Sequence, residues 1–506
     1  MAPSDTQTSP SRLVARFVLR ADDASVAIFE GDVATSYRDV CAGARSVAAA
    51  LLHGRASLDG ERVALLVSPG AAFVEAFFGV LLAGGCVVVL STLHPPAETK
   101  YFCEDAGVVT LLVSPTLVDR VAPVAGERRV IMIDEARRTT PRADLPSVGA
   151  NDAALQLYTS GTTGKPKGAI ITHENLAVQQ ELLADAWGWS ARDVLLHTLP
   201  LHHMHGLAIA LLSAIGAGAK ARMLPHFDAR AVWTAMADST VFMAVPTIYA
   251  KLVAAYDATD DATRERWSAN ARALRLATSG SAALPVSLAE RWRGIAGAYP
   301  LERFGMTEIG VGTSNPLVGE RRPGTVGKPL ATVGTRVVDG ELWIRGPSVF
   351  AGYWRRDDAT AEAFVIADGV TWFRTGDTVE IAPDGFVKIL GRTSVDILKS
   401  GGYKLSALEI EEALREHPAI GEVAVVGLPD AEWGDRVVAC VVPREGCDDD
   451  CGEDAVRAFA KERLASYKVP RVVVTMRELP RNAVGKVMKP ELVKQLAARK
   501  SEEGHT

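Results

Sequence analysis

The stretch AALQLYTSGTTGKPKGAIITH, residues 153–173, decides how the rest of the chain is read. Two apolar runs, AALQLY and GAIITH, enclose a loop with hydroxyls at Thr159, Ser160, Thr162 and Thr163, glycines at Gly161, Gly164 and Gly168, and ammonium groups at Lys165 and Lys167. Such glycines let backbone curl around an anion, the hydroxyls and peptide N–H groups donate to it, and the lysines neutralise its charge. A plain Gly/Ser linker would call for neither the lysines nor the flanking strands. The nucleotide-triphosphatase P-loop needs Ser or Thr directly after its Gly-Lys pair, and Pro166 stands there. The loop is therefore expected to hold phosphate in another way.

Outward from this loop, residues 20–330 alternate helical stretches with short runs such as RVALLVS, VVTLLVS, RVIMID and VFMAVP. That is the pattern of α/β layers around mostly parallel sheets. From about residue 331, short segments punctuated by Gly and Asp imply a smaller β-rich subdomain. LSALEIEEALREHP then places Ser406 and Glu409 at capping-box spacing ahead of an apolar stripe, and GEVAVVGLP and RVVACVVP read as strands. The expected architecture is α/β: a large domain of α/β layers with a β-rich subdomain over residues 1–392, and a smaller, mobile α+β domain over residues 393–506.

Length and composition agree. The chain has 506 residues and 48% hydrophobic content, enough for more than one core. Fifty-five basic residues against 61 acidic ones give a net charge of −6, which argues against a nucleic-acid face or a polybasic membrane anchor and for small-molecule chemistry. VALLVSPGAAFVEAFFGVLLAGGCVVVLS is interrupted by Pro69 and Glu75 and reads as strand, helix, strand rather than a membrane span. Six scattered cysteines suit reduced thiols in a cytoplasmic protein. Arg12, Arg16 and Arg20 at four-residue spacing leave a mitochondrial transit helix as the alternative.

Three further clusters carry chemistry. LERFGMTEIG ends a strand with Phe304, Gly305, Thr307 and Glu308: an aromatic ring for a base, a hydroxyl for phosphate, and a carboxylate for the metal that bridges phosphates. FRTGDTVEI puts Asp377 in a tight turn, where two acceptor oxygens suit the two hydroxyls of a ribose. PRNAVGKVMK offers Lys486 behind a glycine.

In this order, TSGTTGKPKG, FGMTE, TGD, the GR ending at Arg392 and the late GK resemble the adenylate-forming family of acyl-CoA synthetases, non-ribosomal peptide adenylation domains and firefly-type luciferases. The resemblance spans nearly the whole chain. It implies that an acid attacks the α-phosphorus of ATP to give an acyl-adenylate and pyrophosphate, and that the thiol of coenzyme A then displaces AMP. It also implies roles: Lys165 and the loop hydroxyls hold the β and γ phosphates, Thr307 contacts phosphate, and Glu308 binds Mg²⁺. Asp377 and Arg392 hold the ribose, and Phe304 stacks on adenine beside Ser279–Leu284, which includes Ser281. Lys486 bridges acid and α-phosphate. After rotation about a hinge at Ser394, Ser400, Gly401 and Gly402 line the thiol tunnel. Many relatives carry Asp or Lys at that hinge.

For the acid, the pocket is expected around LPLHHMHGL, AVPTIYAKL and RLATSGSAAL, with Ser279, Met306, His203 and His205 as contacts. Strand alternation sets Arg275 opposite Leu274 and Leu276. If that face is inward, a guanidinium waits for a second carboxylate on the substrate; if outward, it lies at a solvated sheet edge. The histidines either contact the acid or are merely packed. LPLHHMHGL, VFMAVPTIYAKL, RGPSVFAGYW and GRTSVDILKSGGYK together look like the malonyl-CoA synthetase branch, which implies malonate, and often methylmalonate, as the acid and Arg275 as its partner. The alternatives are a ligase for a medium-chain or aromatic monoacid and a stand-alone domain loading a carrier protein.

Overall fold

The computed structural model describes residues 9–159, 165–430, 432–481 and 487–503. Two large sheets form the body. The phosphate-loop strands Ala153–Thr159 and Lys167–Thr172 are an antiparallel pair at one side of a seven-stranded sheet, whose other main strands, Arg62–Leu66, Cys86–Val89, Thr110–Val113 and Arg129–Met132, run parallel. Arg62–Leu66, the helix Ala71–Leu82 and Cys86–Val89 are the strand, helix and strand expected from the long apolar run. Gly70 and the glycines at 84 and 85 delimit that helix, and its side chains are buried nearly all round because it is covered by the helix Tyr37–Leu52. Among the described residues no helix is long and apolar enough to cross a membrane.

The second sheet has nine strands, and its central members, Lys220–Met223, Val194–His197, Val241–Ala244, Leu276–Ser279 and Leu301–Met306, are parallel neighbours in that order. Parallel strands covered on both faces bury every position, and Val241–Ala244 and Leu276–Ser279 are buried throughout. All their carboxyl ends therefore open on one edge. In open α/β sheets that edge is where ligands bind.

From Gly334 to Arg392 five antiparallel strands form the β-rich part. Beyond it, Ile397–Ser400, Tyr403–Ser406, Ile420–Asp430, Gly434–Pro443 and Val472–Thr475 build a separate sheet with its own apolar clusters around Ile410, Leu414, Val425 and Val437, and around Val426, Val438 and Leu492. The helix Ala407–Arg415 starts on Ser406, whose hydroxyl accepts from the Glu409 N–H at 3.1 Å. This unit touches the body where the Val286 N–H, at the start of the helix Val286–Ala296, donates to Glu412 at 2.7 Å.

Arg12 and Arg16, read as compatible with a transit helix, lie in the helix Arg12–Val18 and pair with Glu174 and Glu181 of the helix His173–Trp187. Their spacing is that of one helix face meeting another.

Candidate active site

The phosphate loop leaves the sheet at Thr159 and returns at Lys167, which face each other across the strand pair. Ser160, Gly161, Thr162, Thr163 and Gly164 lie outside the described residues, as does Lys486. Lys165 is exposed at the returning stem, its ammonium 5.4 Å from the Tyr101 ring centre.

Beside the loop, Leu301–Met306 runs into Thr307 and Glu308. Gly305 is required there, since a Cβ would sit 2.1 Å from the Gly310 carbonyl oxygen. Phe304 and Met306 are half-buried. The Glu308 carboxylate is buried, and burial pushes its pKa up although Tyr353 donates to Oε1 at 2.8 Å and Arg392 and Lys167 lie near enough to oppose the shift. Lys167 rests over the Tyr353 ring at 5.2 Å, so one tyrosine joins the phosphate-loop stem to the carboxylate. A buried carboxylate with hard oxygen donors, next to a phosphate loop, fits a divalent cation such as Mg²⁺.

Asp377 is not in a tight turn. It lies inside the long strand Val370–Ile381, opposite Arg392 in register, where Gly376 at φ +70° and a register shift at Thr378 bend the strand. The two side chains pair at 3.0 Å, and Arg392 Nη1 also donates to the Thr375 carbonyl at 2.7 Å. Ser394 is exposed in the turn after the strand Val387–Arg392. Ser400 is buried, and Gly401 and Gly402, at φ +57° and +83°, form a two-residue hairpin turn that demands left-handed backbone at both positions. Gly401 donates to the Trp433 carbonyl at 2.9 Å.

The acyl region corrects one expectation. Arg275 precedes Leu276, at the amino end of its strand, about 13 Å from Ser279 at ~3.3 Å per residue. Its Nε and Nη2 make 2.5 and 2.7 Å bonds to both oxygens of Asp193, and Nη1 donates to the Trp187 carbonyl. Asp193 also accepts from Thr240 and from the Ser190 N–H. Three neighbouring strands are thus tied at their amino ends. Arg275 has its carboxylate already, and the carboxyl edge of the sheet lies at the other end of these strands.

At that other edge stands Arg303, which the sequence reading passed over. Its guanidinium is buried against Gly280, where a Cβ would lie 2.5 Å from both Cζ and Nε. Nε and Nη2 have no hydrogen-bond partner among the described residues, and burial pushes the guanidinium down to about 10, so it remains charged at neutral pH. Ser279 Oγ, His203 Nε2 and His205 Nε2 are also buried without partners. His205 Nδ1 is 3.2 Å from Ser281 Oγ, and Ser281 holds φ +70°, which turns the Ser279–Leu284 segment back toward the histidines. Desolvation pushes His203 down to about 4, with His94 opposing its charge further, and carries His205 well down, with Arg303 adding repulsion. Both rings are neutral. The strand alternation that was applied to Arg275 applies equally to LERF, and a cation one strand over, immediately before FGMTE, was the available signal.

A model of the AMP-binding enzyme family matches residues 15–354, and one of the AMP-binding enzyme C-terminal domain matches residues 409–486. The chain is 40% identical to the mitochondrial malonate–CoA ligase ACSF3 of Bos taurus over 91% of this chain and 86% of that one. Among solved structures it is similar to ATP-bound MatB from Rhodopseudomonas palustris (34% identity, TM-score 0.88, 96% and 99% covered). It is also similar to a malonyl-CoA ligase in a ternary product complex with methylmalonyl-CoA and AMP (36% identity, TM-score 0.68, 93% and 100% covered). The chain belongs to the AMP-binding enzyme family, the adenylate-forming acyl-CoA synthetases.

Proposed function

We propose that the protein is an ATP-dependent malonate–CoA ligase, and that Arg303 recognises the carboxylate that does not react. The observation that carries the reading is a buried, charged guanidinium with two unpaired donors against the Ser279–Leu284 segment. An isolated buried cation is costly, and a dicarboxylate supplies the missing partner in bidentate form. A monoacid leaves the charge unpaired and is rejected. The ligase names of the relatives, and the methylmalonyl-CoA in one of them, support malonate with tolerance of an α-methyl group.

The other carboxylate attacks the α-phosphorus of ATP, pyrophosphate leaves, and the thiol of coenzyme A then attacks the acyl carbonyl as AMP departs. A carboxylate approaching a polyanion needs its charge screened and its line of attack fixed. Lys165 and the Thr159–Gly164 loop take the β and γ phosphates, Thr307 the phosphate chain, Asp377 and Arg392 the ribose, and Phe304 the adenine. Glu308 would hold Mg²⁺, which when bound neutralises phosphate charge. Neutral His203 and His205, with Ser279, donate hydrogen bonds to the acid without attracting a third anion, and Met306 closes the pocket. Lys486 meets the charge that develops between acid and α-phosphate, and the turn Ser400–Gly402 follows it into place for thiolation.

The test is CoA-thioester formation with malonate, methylmalonate, succinate, acetate, octanoate and 4-coumarate. We expect kcat/KM for malonate to exceed that for the monoacids by about 10² or more. Preference for a monoacid would sink the assignment.

A further inference from the structure

Both stems of the phosphate loop are fastened to one helix, Pro96–Ala106, through Tyr101 and Asp105, which no motif discussed so far contains. At the entering stem, Tyr158 donates to Asp105 Oδ2 at 2.8 Å. At the returning stem, Tyr101, one turn before Asp105, donates to the Pro166 carbonyl at 2.8 Å and lies beneath the Lys165 ammonium. Asp105 is itself held from the far side. Its Oδ1 pairs with Arg356 at 2.9 Å, and its carbonyl accepts from Trp354 Nε1 at 3.1 Å. Arg356 and Trp354 follow Tyr353, which donates to Glu308. The fastening therefore runs from the loop stems to the segment that fixes the metal-binding carboxylate.

We propose that Asp105 and Tyr101 are positioning residues that set the mouth of the phosphate loop for ATP. This rests on the reading of residues 159–167 as the ATP phosphate loop. Binding a triphosphate costs the ordering of the groups that hold it, and stems fixed in advance reduce that cost. Neither residue is placed on the acid or the thiol. Their contribution belongs to ATP binding and adenylation alone. The Tyr101 ring additionally keeps Lys165 at the stem by cation–π attraction rather than by an ion pair, which leaves its charge available to phosphate.

Tyr101→Phe, Asp105→Asn and Arg356→Lys are compared with the wild type in malonate-dependent ATP–pyrophosphate exchange and in CoA thiolation of supplied malonyl-adenylate. Losing one hydrogen bond should raise the KM for ATP about three- to tenfold in Tyr101→Phe. Asp105→Asn should match or exceed this, and Arg356→Lys, which keeps a cation beside Asp105, should retain most of the wild-type value. Malonate KM, the thiolation rate and the melting temperature should stay close to wild type. An unchanged ATP KM in both Tyr101→Phe and Asp105→Asn overturns the proposal. So does a parallel loss in both half-reactions with a lowered melting temperature, which marks general structural support. If the wild type shows no malonate-dependent exchange, the underlying function has failed instead, and that outcome is recognisable before any variant is made.

Discussion

The two edges of the nine-stranded sheet carry similar residues in opposite states. At the amino edge, Asp193, Thr240 and Arg275 consume one another: the carboxylate accepts from guanidinium, hydroxyl and backbone, and nothing is left for a ligand. At the carboxyl edge, Arg303, His205 and Ser279 are buried and His203 is partly buried, yet all four keep polar atoms without a partner among the described residues. Protein interiors pair nearly all such groups, so concentrated exceptions signal a missing partner. Two arginines on neighbouring strands thus differ because one is paired with a carboxylate of the protein, whereas the other keeps two donors without a partner among the described residues, as the proposed recognition of a substrate carboxylate requires.

The largest effect is expected from emptying the carboxyl edge of its charge. Arg303→Met should lower kcat/KM for malonate by about 10³ or more while leaving the melting temperature unchanged or raised, because an unpaired buried cation is removed. Steady-state kinetics and a thermal melt decide this. Wild-type malonate kinetics would break the comparison outright. Next is Lys486→Ala. Loss of an electrostatic donor in the transition state should slow adenylation by about 10²–10³ and spare thiolation of supplied malonyl-adenylate. Equal loss in both half-reactions would show that recognition and chemistry are not divided between the sheet edge and the C-terminal lysine.

The layers of the fold were legible because periodicity and turn residues act locally: RVALLVS, VVTLLVS and VFMAVP became strands, and Ser406 capped its helix. The site was legible in its loops for a similar reason, since glycine-rich, charged segments between strands have few other uses. What was hidden depended on which distant residue stands opposite. Alternation told that Arg275 and Leu274 point apart, but not that Asp193, 82 residues away, waits on its side. FRTGDTVEI implies a tight turn at Asp377, whereas the long strand absorbs Gly376 as a bend. Arg303 did carry a mark in the sequence, as a cation directly before FGMTE, but that its donors go without partners depends on distant residues and is visible only in the fold.

The amino edge can be tested by the opposite pattern. Arg275→Met strands the Asp193 carboxylate, which is nearly fully buried, and should cost about 3 kcal/mol of unfolding free energy in a denaturant titration. Asp193→Asn added to Arg275→Met should cost less than the sum of the two single changes, since the pair is a unit. Malonate kcat/KM of the folded Arg275→Met enzyme should remain within about twofold of wild type, an effect small beside the ~1 kcal/mol typical of one net hydrogen bond. A rise in malonate KM here would mean that the edges communicate.

The finest test concerns the neighbour of Arg303 on its own strand. Glu302 is buried and accepts from the Gly324 N–H at 2.9 Å, and burial, aided by Glu412, pushes its carboxyl up to about 8. Consecutive strand residues point to opposite faces, so this carboxyl does not neutralise the Arg303 guanidinium. Because the folded state holds a proton that the unfolded chain releases near pH 4.3, its contribution to stability is complete below that pH and is lost as pH rises through about 8. Glu302→Gln keeps the acceptor and cannot ionise. Its melting temperature should therefore equal that of wild type in acid and exceed it by a few degrees in mild alkali, with malonate KM unmoved. A malonate KM that changes in Glu302→Gln would instead mean that Glu302 shares charge with Arg303, and the carboxyl edge would then be less empty than its unpaired donors imply.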